Sequence, residues 1–438
     1  MSQNQTSISR LKEFAPQLER TSKVGYVWMA VLVLVILWGL YAFVYQTIHG
    51  HSVTGMRDHV VWGIYIVNFV FILGISYAGA LISGLLHFLR VEWGKPIIRI
   101  AKIVTVISIL IGPMYILLEI GRLDRIFNVL TYGRLQSPIF WDVIAIITYF
   151  IGSVIFLYLA LIRDFSLLRD YPELKVDKKR KWIYKKLSLG YKGTEKQKKY
   201  LNQCLDVMSA LIIPMSIIVS SILAWIFGMT LRPGWHSTIF GPYFVIAGIY
   251  TGTAVIVLAI WIFRKVYRLE VHITQKHFKY MGTFLLILAG FYGYFTFSEY
   301  LTTWYGNEKW DAELMAKLLD PSEYGTMFLL SSILGIGIPL IVLGLPWLKS
   351  INSIAFVSVL IIIALWLKRY LIIIPTLETP LLPVQDIRPE YVKYSATWVE
   401  WSIVFGGFAM FCLLLTLASK VAPVVPVATA LEQDKMED

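Results

Sequence analysis

WGIYIVNFVFILGISYAGALIS, residues 62–83, contains no charged side chain. A helix rises about 1.5 Å per residue, so roughly 20 such residues cross a hydrocarbon layer about 30 Å thick. Further apolar runs lie on both sides of this one. Together they predict spans at 24–45, 60–89, 97–119, 139–162, 205–228, 240–263, 280–303, 325–345, 351–374 and 398–419. Lipid offers backbone groups no hydrogen bonds, so runs of this kind must close them within helices. The expected fold class is an all-α integral membrane protein of about ten transmembrane helices. Composition agrees: of 438 residues, 57% are hydrophobic and only 16% charged, too few charges to cover a water-facing surface. Aromatic residues reach 15%, with 15 Trp and 25 Tyr suited to the headgroup boundary.

An even number of spans puts both termini on one side. With the N-terminus inside, inner segments hold 28 Lys and Arg and outer loops 9. The positive-inside rule therefore predicts cytoplasmic termini in a multi-pass plasma (inner) membrane protein. The first 23 residues are polar and followed by no cleavage pattern, so the first span reads as uncleaved. The basic segment 163–203 reads as a surface for anionic lipid headgroups, with a cytoplasmic protein as the alternative. This asymmetry accounts for the net charge of +12 without nucleic acid. Cys204 and Cys412 are too few to hold an iron–sulfur cluster.

The middle of the chain carries a parallel internal similarity. Trp62-Gly63-Ile64-Tyr65 opens span 2, with Gly74 twelve positions on; Phe240-Gly241-Pro242-Tyr243 opens span 6, with Gly252 at the same offset. The following spans end near Glu119 and Glu299. The domain organisation expected is a cytoplasmic segment 1–23, a first span and outer loop 24–59, and two four-helix bundles at 60–228 and 240–374. A last span 398–419 and a tail 420–438 complete it. Gly74, Ala78, Gly248 and Gly252 have the small-residue spacing that lets helices approach closely, which packing alone explains.

Ionisable groups at membrane depth are costly, so each is a candidate for function. Glu119-Ile120-Gly121-Arg122-Leu123-Asp124-Arg125 ends span 3, and Ser137-Pro138-Ile139-Phe140-Trp141-Asp142 opens span 4. These place Glu119 and Asp142 at one depth, where carboxylates can exchange protons, or else pair with Arg122 or Arg125. Pro138 suits the first helical turn, with Ser137 as its cap. His236 in Arg232–Thr238 is a proton or carbonyl partner, or simply solvated. Glu299 is buried in the bundle or caps its rim, and Lys368 and Arg369 are expected to snorkel outward. Of seven histidines only His87 falls within a span, which excludes a transmembrane b-type cytochrome. Walker, zinc-protease and nucleophile-elbow patterns are absent from the sequence.

These segments resemble the NrfD/PsrC family, the membrane subunits of polysulfide-reductase-type complexes, and within it the C subunit of alternative complex III. The resemblance rests on WGIYIVNFVFILGISYAGALIS, LLEIGRLDR, SPIFWD, RPGWHSTIFGPYFV, EYLTTWYGN and KRYLIIIPTL, in that order over most of residues 60–380. It implies a subunit that binds a quinone, menaquinone or another, near the outer face without a cofactor of its own. Electrons would pass between that quinone and an extracytoplasmic iron–sulfur subunit. A molybdopterin-type subunit and a multihaem cytochrome c are further candidate partners, so clusters and haem are expected only in partners. Carried over by motif, Glu119 and Asp142 become catalytic and quinone-binding, with Arg122 and His236 beside them and no metal ligand. Glu299 and Asp206 become a candidate proton path. Glu119 departs from the complex III pattern, which usually has His there, as does Leu123, where proline is common. The chain is not expected to be active alone. A secondary transporter and a purely structural membrane anchor of a redox enzyme are the alternatives.

Overall fold

A computed structural model describes residues 17–19, 21–171, 177–379 and 393–427. Arg10, Lys12, Arg20, Lys175, Arg388 and Lys435, all used in the charge count, lie outside the described residues.

Among the described residues, ten helices are long and apolar enough to cross a membrane. Spans 1 to 5 are Lys23–His49, Ile64–Phe88, Lys95–Glu119, Pro138–Asp170 and Glu195–Gly228. Spans 6 to 10 are Phe240–Val266, Gln275–Gly306, Gly325–Gly344, Ile351–Leu377 and Trp398–Val421. Polar residues stop them: Ser22, Thr194 and Ser350 each accept a backbone N–H at an N-terminus. Ser137 occupies the N-cap position before Pro138, though its side chain makes no capping bond. Large apolar side chains such as Leu34, Phe297 and Ile341 project from the surface. A contiguous apolar exterior of this kind needs lipid around it.

Span 2 is enclosed along most of its length, from Ile64 to Gly84. It packs on spans 3 and 5, while span 4 touches both of these. Span 6 likewise packs on 7 and 9, and span 8 closes against 7 and 9. We call spans 2–5 the first helix group and spans 6–9 the second. Span 1 pairs with span 10, which also leans on span 3. The two groups meet where span 2 crosses span 6. A Cβ on Gly74 would lie 3.3 Å from the Gly248 Cα, and one on Gly252 would lie 2.6 Å from the Ile75 carbonyl oxygen. Trp62 and Trp235, near the starts of the two groups, stack at 6.0 Å.

Span 8 loosens into a wider turn over Ile333–Gly337. Pro339 has no N–H to give the Gly335 carbonyl, and the Tyr250 hydroxyl bonds that oxygen at 3.0 Å instead.

Candidate functional site

Glu119 is the last residue of span 3, and its Oε2 is buried without a hydrogen-bond partner. The turn beyond it needs Gly121, whose φ of +70° suits glycine. A Cβ there would lie 2.8 Å from His51 Nε2, so the bare backbone admits the imidazole. His51 Nδ1 is also buried and unpartnered. Two unsatisfied polar atoms therefore flank the same turn. Native proteins rarely leave such groups unmet unless water or a ligand meets them.

A tightly bonded frame surrounds these atoms. Gln46 donates to the Leu118 carbonyl at 2.9 Å and accepts the Tyr65 hydroxyl at 2.5 Å. Glu400, fully buried in the first turn of span 10, accepts Tyr394 O–H at 2.5 Å, Gly55 N–H at 2.7 Å, Thr397 N–H at 2.9 Å and Thr397 O–H at 3.2 Å. Gly63 makes room for this: a Cβ would stand 2.7 Å from the Tyr394 hydroxyl and 2.9 Å from Glu400 Oε1. Glu400, Tyr65, Gln46 and His51 are absent from the sequence-based candidates. Thr397-x-x-Glu400, a capping-box pattern ahead of an apolar run, was the readable signal for one of them.

Asp142 is 6% exposed, and its Oδ1 has no partner. Helix register fixes its depth. Gly112 packs on Leu73, so Glu119, seven residues further along an antiparallel helix, is level with residue 66. The Tyr149 hydroxyl bonds the Ser76 carbonyl, which puts Asp142 level with residue 69. Three residues of rise separate the two carboxylates in depth, about 4.5 Å. Among the described residues no hydrogen bond or ion pair joins them to each other or to Arg122 or Arg125. Arg122 forks onto Asp124 at 2.9 and 3.1 Å on the surface, and this holds the Asp124 carboxyl below its ordinary range.

Glu299 and His236 belong to a second site, in the other helix group. A cavity of about 50 Å³ lies among Phe240, Tyr243, Glu299, Tyr300, Asp311 and Lys368. At roughly 10–15 Å³ per water it holds a few waters. Glu299 accepts the Ser237 hydroxyl at 2.7 Å. His236 is half-exposed, with Nε2 3.5 Å from Asp311. Lys368 and Arg369 do not snorkel: they are 6% and 2% exposed. Lys368 bonds the Tyr300 hydroxyl at 2.8 Å, and Arg369 lies 4.2 Å over the Phe244 ring with Nη1 unpartnered. Their neighbours on spans 6 and 7 supply rings and a hydroxyl that compete with a route to the surface. Asp206 lies at the opposite end of the molecule, beside the basic loops, 3.2 Å from His87 and 3.6 Å from Arg90. Deeper on that side Arg99 and Asp164 form a buried ion pair, and Lys102 sits 3.4 Å over the Phe156 ring.

Residues 52–380 match the family described as polysulphide reductase, NrfD. A protein of Halobacterium salinarum, provisionally named as the membrane subunit of a dimethyl sulfoxide reductase, is 27% identical over 56% of this chain. That match spans about half of the Halobacterium protein, 53% of its length. The Hdr-like menaquinol oxidoreductase integral membrane subunit of Archaeoglobus fulgidus is 23% identical, over 94% of this chain and 96% of its own. The menaquinone reductase integral membrane subunit of Nitratidesulfovibrio vulgaris is 22% identical over 93% of each. With ten membrane-crossing helices among the described residues and a match over residues 52–380, this chain belongs to the family described as polysulphide reductase, NrfD.

Proposed function

We propose that this chain is the quinone-reactive membrane subunit of a multi-subunit respiratory oxidoreductase, with Glu119 as the proton-exchanging group. The observation that carries the reading is the unmet buried Glu119 Oε2, with a second unmet atom, Nδ1, on the His51 imidazole that approaches the Gly121 turn through Nε2. Oxidising a quinol releases two electrons and two protons. A carboxylate oxygen with no protein donor is free to accept a hydroxyl proton, and the unmet His51 nitrogen is free to hydrogen-bond a ligand oxygen. Asp142, about 4.5 Å deeper by the helix register, is the second acceptor, and Glu119 is the group nearer the outlet. As the family resemblance implies, the electrons go to a partner's iron–sulfur cluster. The relatives named for menaquinol and menaquinone support menaquinone as the substrate. The charge asymmetry supports basic loops in the cytoplasm, with Glu119 and the iron–sulfur partner outside. Assembly as in alternative complex III, with a molybdopterin-type subunit or multihaem cytochrome, belongs to the same proposal.

Glu119→Gln in the assembled complex tests the assignment, since it keeps the shape and removes the base. Quinol-dependent electron transfer should fall about 10²–10⁴-fold, the usual share of a general base. Full activity in the Glu119→Gln/Asp142→Asn double variant would overturn it. Isolation of the chain with no iron–sulfur protein would favour a transporter.

A further inference from the structure

At the mouth of the second-group cavity, the turn Arg232–Ser237 meets the start of the surface helix Lys309–Leu319. His236, Glu308 and Asp311 each present one ligand atom there, all within 4.8 Å of one another. The imidazole is oriented for coordination. Its Nδ1 lies 3.0 Å from the Arg232 carbonyl, a contact that is a bond only if Nδ1 carries the hydrogen. The lone pair of the neutral ring is then on Nε2, which faces Asp311 Oδ2 at 3.5 Å. Asp311 is held in turn: its Oδ1 accepts the Gly234 N–H at 2.9 Å, and Gly234 has φ +76°. Backbone groups that fix the ligand side chains in this way are the usual build of a metal site. Among the described residues no Lys or Arg pairs with Glu308 or Asp311. The lone pair and two carboxylates therefore converge with nothing positive between them.

We propose that His236, Glu308 and Asp311 bind a divalent transition-metal ion of the zinc class at this mouth. Zinc takes imidazole nitrogen and carboxylate oxygen at about 2.0–2.2 Å, and two such bonds at the tetrahedral angle span about 3.4 Å. The observed His236–Asp311 separation of 3.5 Å nearly matches that edge. Glu308 is exposed and closes the remaining gap by turning its side chain. One nitrogen ligand disfavours magnesium and calcium, which prefer all-oxygen sites. Three protein ligands leave a fourth position for water. Asp311 also lines the cavity that holds Glu299 and Lys368, so the ion caps the junction between the cavity and the surface. The proposal concerns a different site from Glu119 and stands or falls separately from the quinone reading.

The test is calorimetric titration of the chelator-stripped complex with Zn²⁺, and visible spectroscopy with Co²⁺. One saturable site per chain and a four-coordinate Co²⁺ spectrum are expected. His236→Ala and Asp311→Asn should weaken binding at least about tenfold. Glu313→Gln, on the same helix outside the cluster, should leave it unchanged. Should either ligand variant fail to fold, Glu308→Gln decides, because its exposed side chain makes no hydrogen bond or ion pair among the described residues. A fall in affinity supports the site. No saturable binding in the wild-type complex, or affinity unchanged in these variants, overturns it. Quinol oxidation assayed in parallel should be intact in metal-free Glu308→Gln, which separates this result from a failure at Glu119.

Discussion

Tyr394→Phe isolates the bond that ties the start of span 10 to the start of span 2. The Tyr394 hydroxyl accepts the Ile64 N–H at 2.8 Å and donates to Glu400 Oε1 at 2.5 Å. Burial, then the Glu400 charge, hold this phenol well above its ordinary pKa, so it remains a donor at any working pH. Phenylalanine keeps the ring and deletes both bonds. Ile64 is fully buried, so its N–H loses its partner with no water beside it, which costs about 1–3 kcal/mol. Glu400 keeps three donors and loses one charge-assisted bond, worth about 1.5–3 kcal/mol. The expected loss is about 3–5 kcal/mol, measured by reversible unfolding in mixed micelles. A double-mutant cycle with Glu400→Ala should show coupling of about 1.5–3 kcal/mol. A loss below about 1 kcal/mol, or additive single variants, would refute the claim that this bond clamps the two helices.

Gly252→Ala should destabilise by about 1–3 kcal/mol, because the new methyl would meet the Ile75 backbone at 2.6 Å. Gly248→Ala, whose methyl would stand 3.4 Å from Gly74 Cα, should be far milder, and thermal unfolding of the two variants side by side tests the crossing. Lys368→Met removes a buried cation whose hydrogen-bond partner is a hydroxyl and not a carboxylate, so it should leave stability unchanged or raise it. A fall in quinol turnover in that variant would give Lys368 a functional reason for its place. Burial pushes the Glu378 carboxyl, just beyond span 9, above its ordinary value. The folded state therefore holds that proton longer than the unfolded chain does. Stability should decline as pH rises from the ordinary glutamate range through the folded-state value, and Glu378→Gln should remove that part of the slope in unfolding titrations.

The spans were legible because hydrocarbon imposes a single rule, charge-free length, and that rule can be read locally. Their basic-side ends were less so. Span 4 continues past Leu161-Ile162 to Asp170, and span 5 begins at Glu195, ten residues before its apolar run. A helix goes on making its own hydrogen bonds after the lipid ends, and Arg99 offsets the Asp164 charge that marked the apparent stop. Lys368 and Arg369 show the opposite failure. Hydropathy ranks a charge by its own chemistry, while its resting place here depends on Tyr300 and Phe244, far away in sequence. Glu119, Asp142, His236 and Glu299 were all legible as polar residues at one end of the spans. Their division into two sites was not, since it depends on which helices lie between them.

Glu119 and Glu400 carry the same carboxyl at neighbouring helix ends, and their surroundings suit them to opposite roles. Glu400 is met by four donors supplied by the Gly55 backbone, Tyr394 and Thr397. A proton arriving there would displace at least one of these bonds, so this side chain suits holding a loop and is poor at exchange. Glu119 Oε2 has no donor to displace. A ligand hydroxyl can meet it without dismantling the frame of Gln46 and Tyr65, which keeps the neighbouring backbone in place through Leu118. The same reasoning ranks Glu299 between the two, because Ser237 already occupies one of its oxygens. If reactivity follows the number of donors a proton must displace, conservative amides should harm quinol oxidation most at Glu119 and less at Glu299. At Glu400 the damage should appear in stability before turnover.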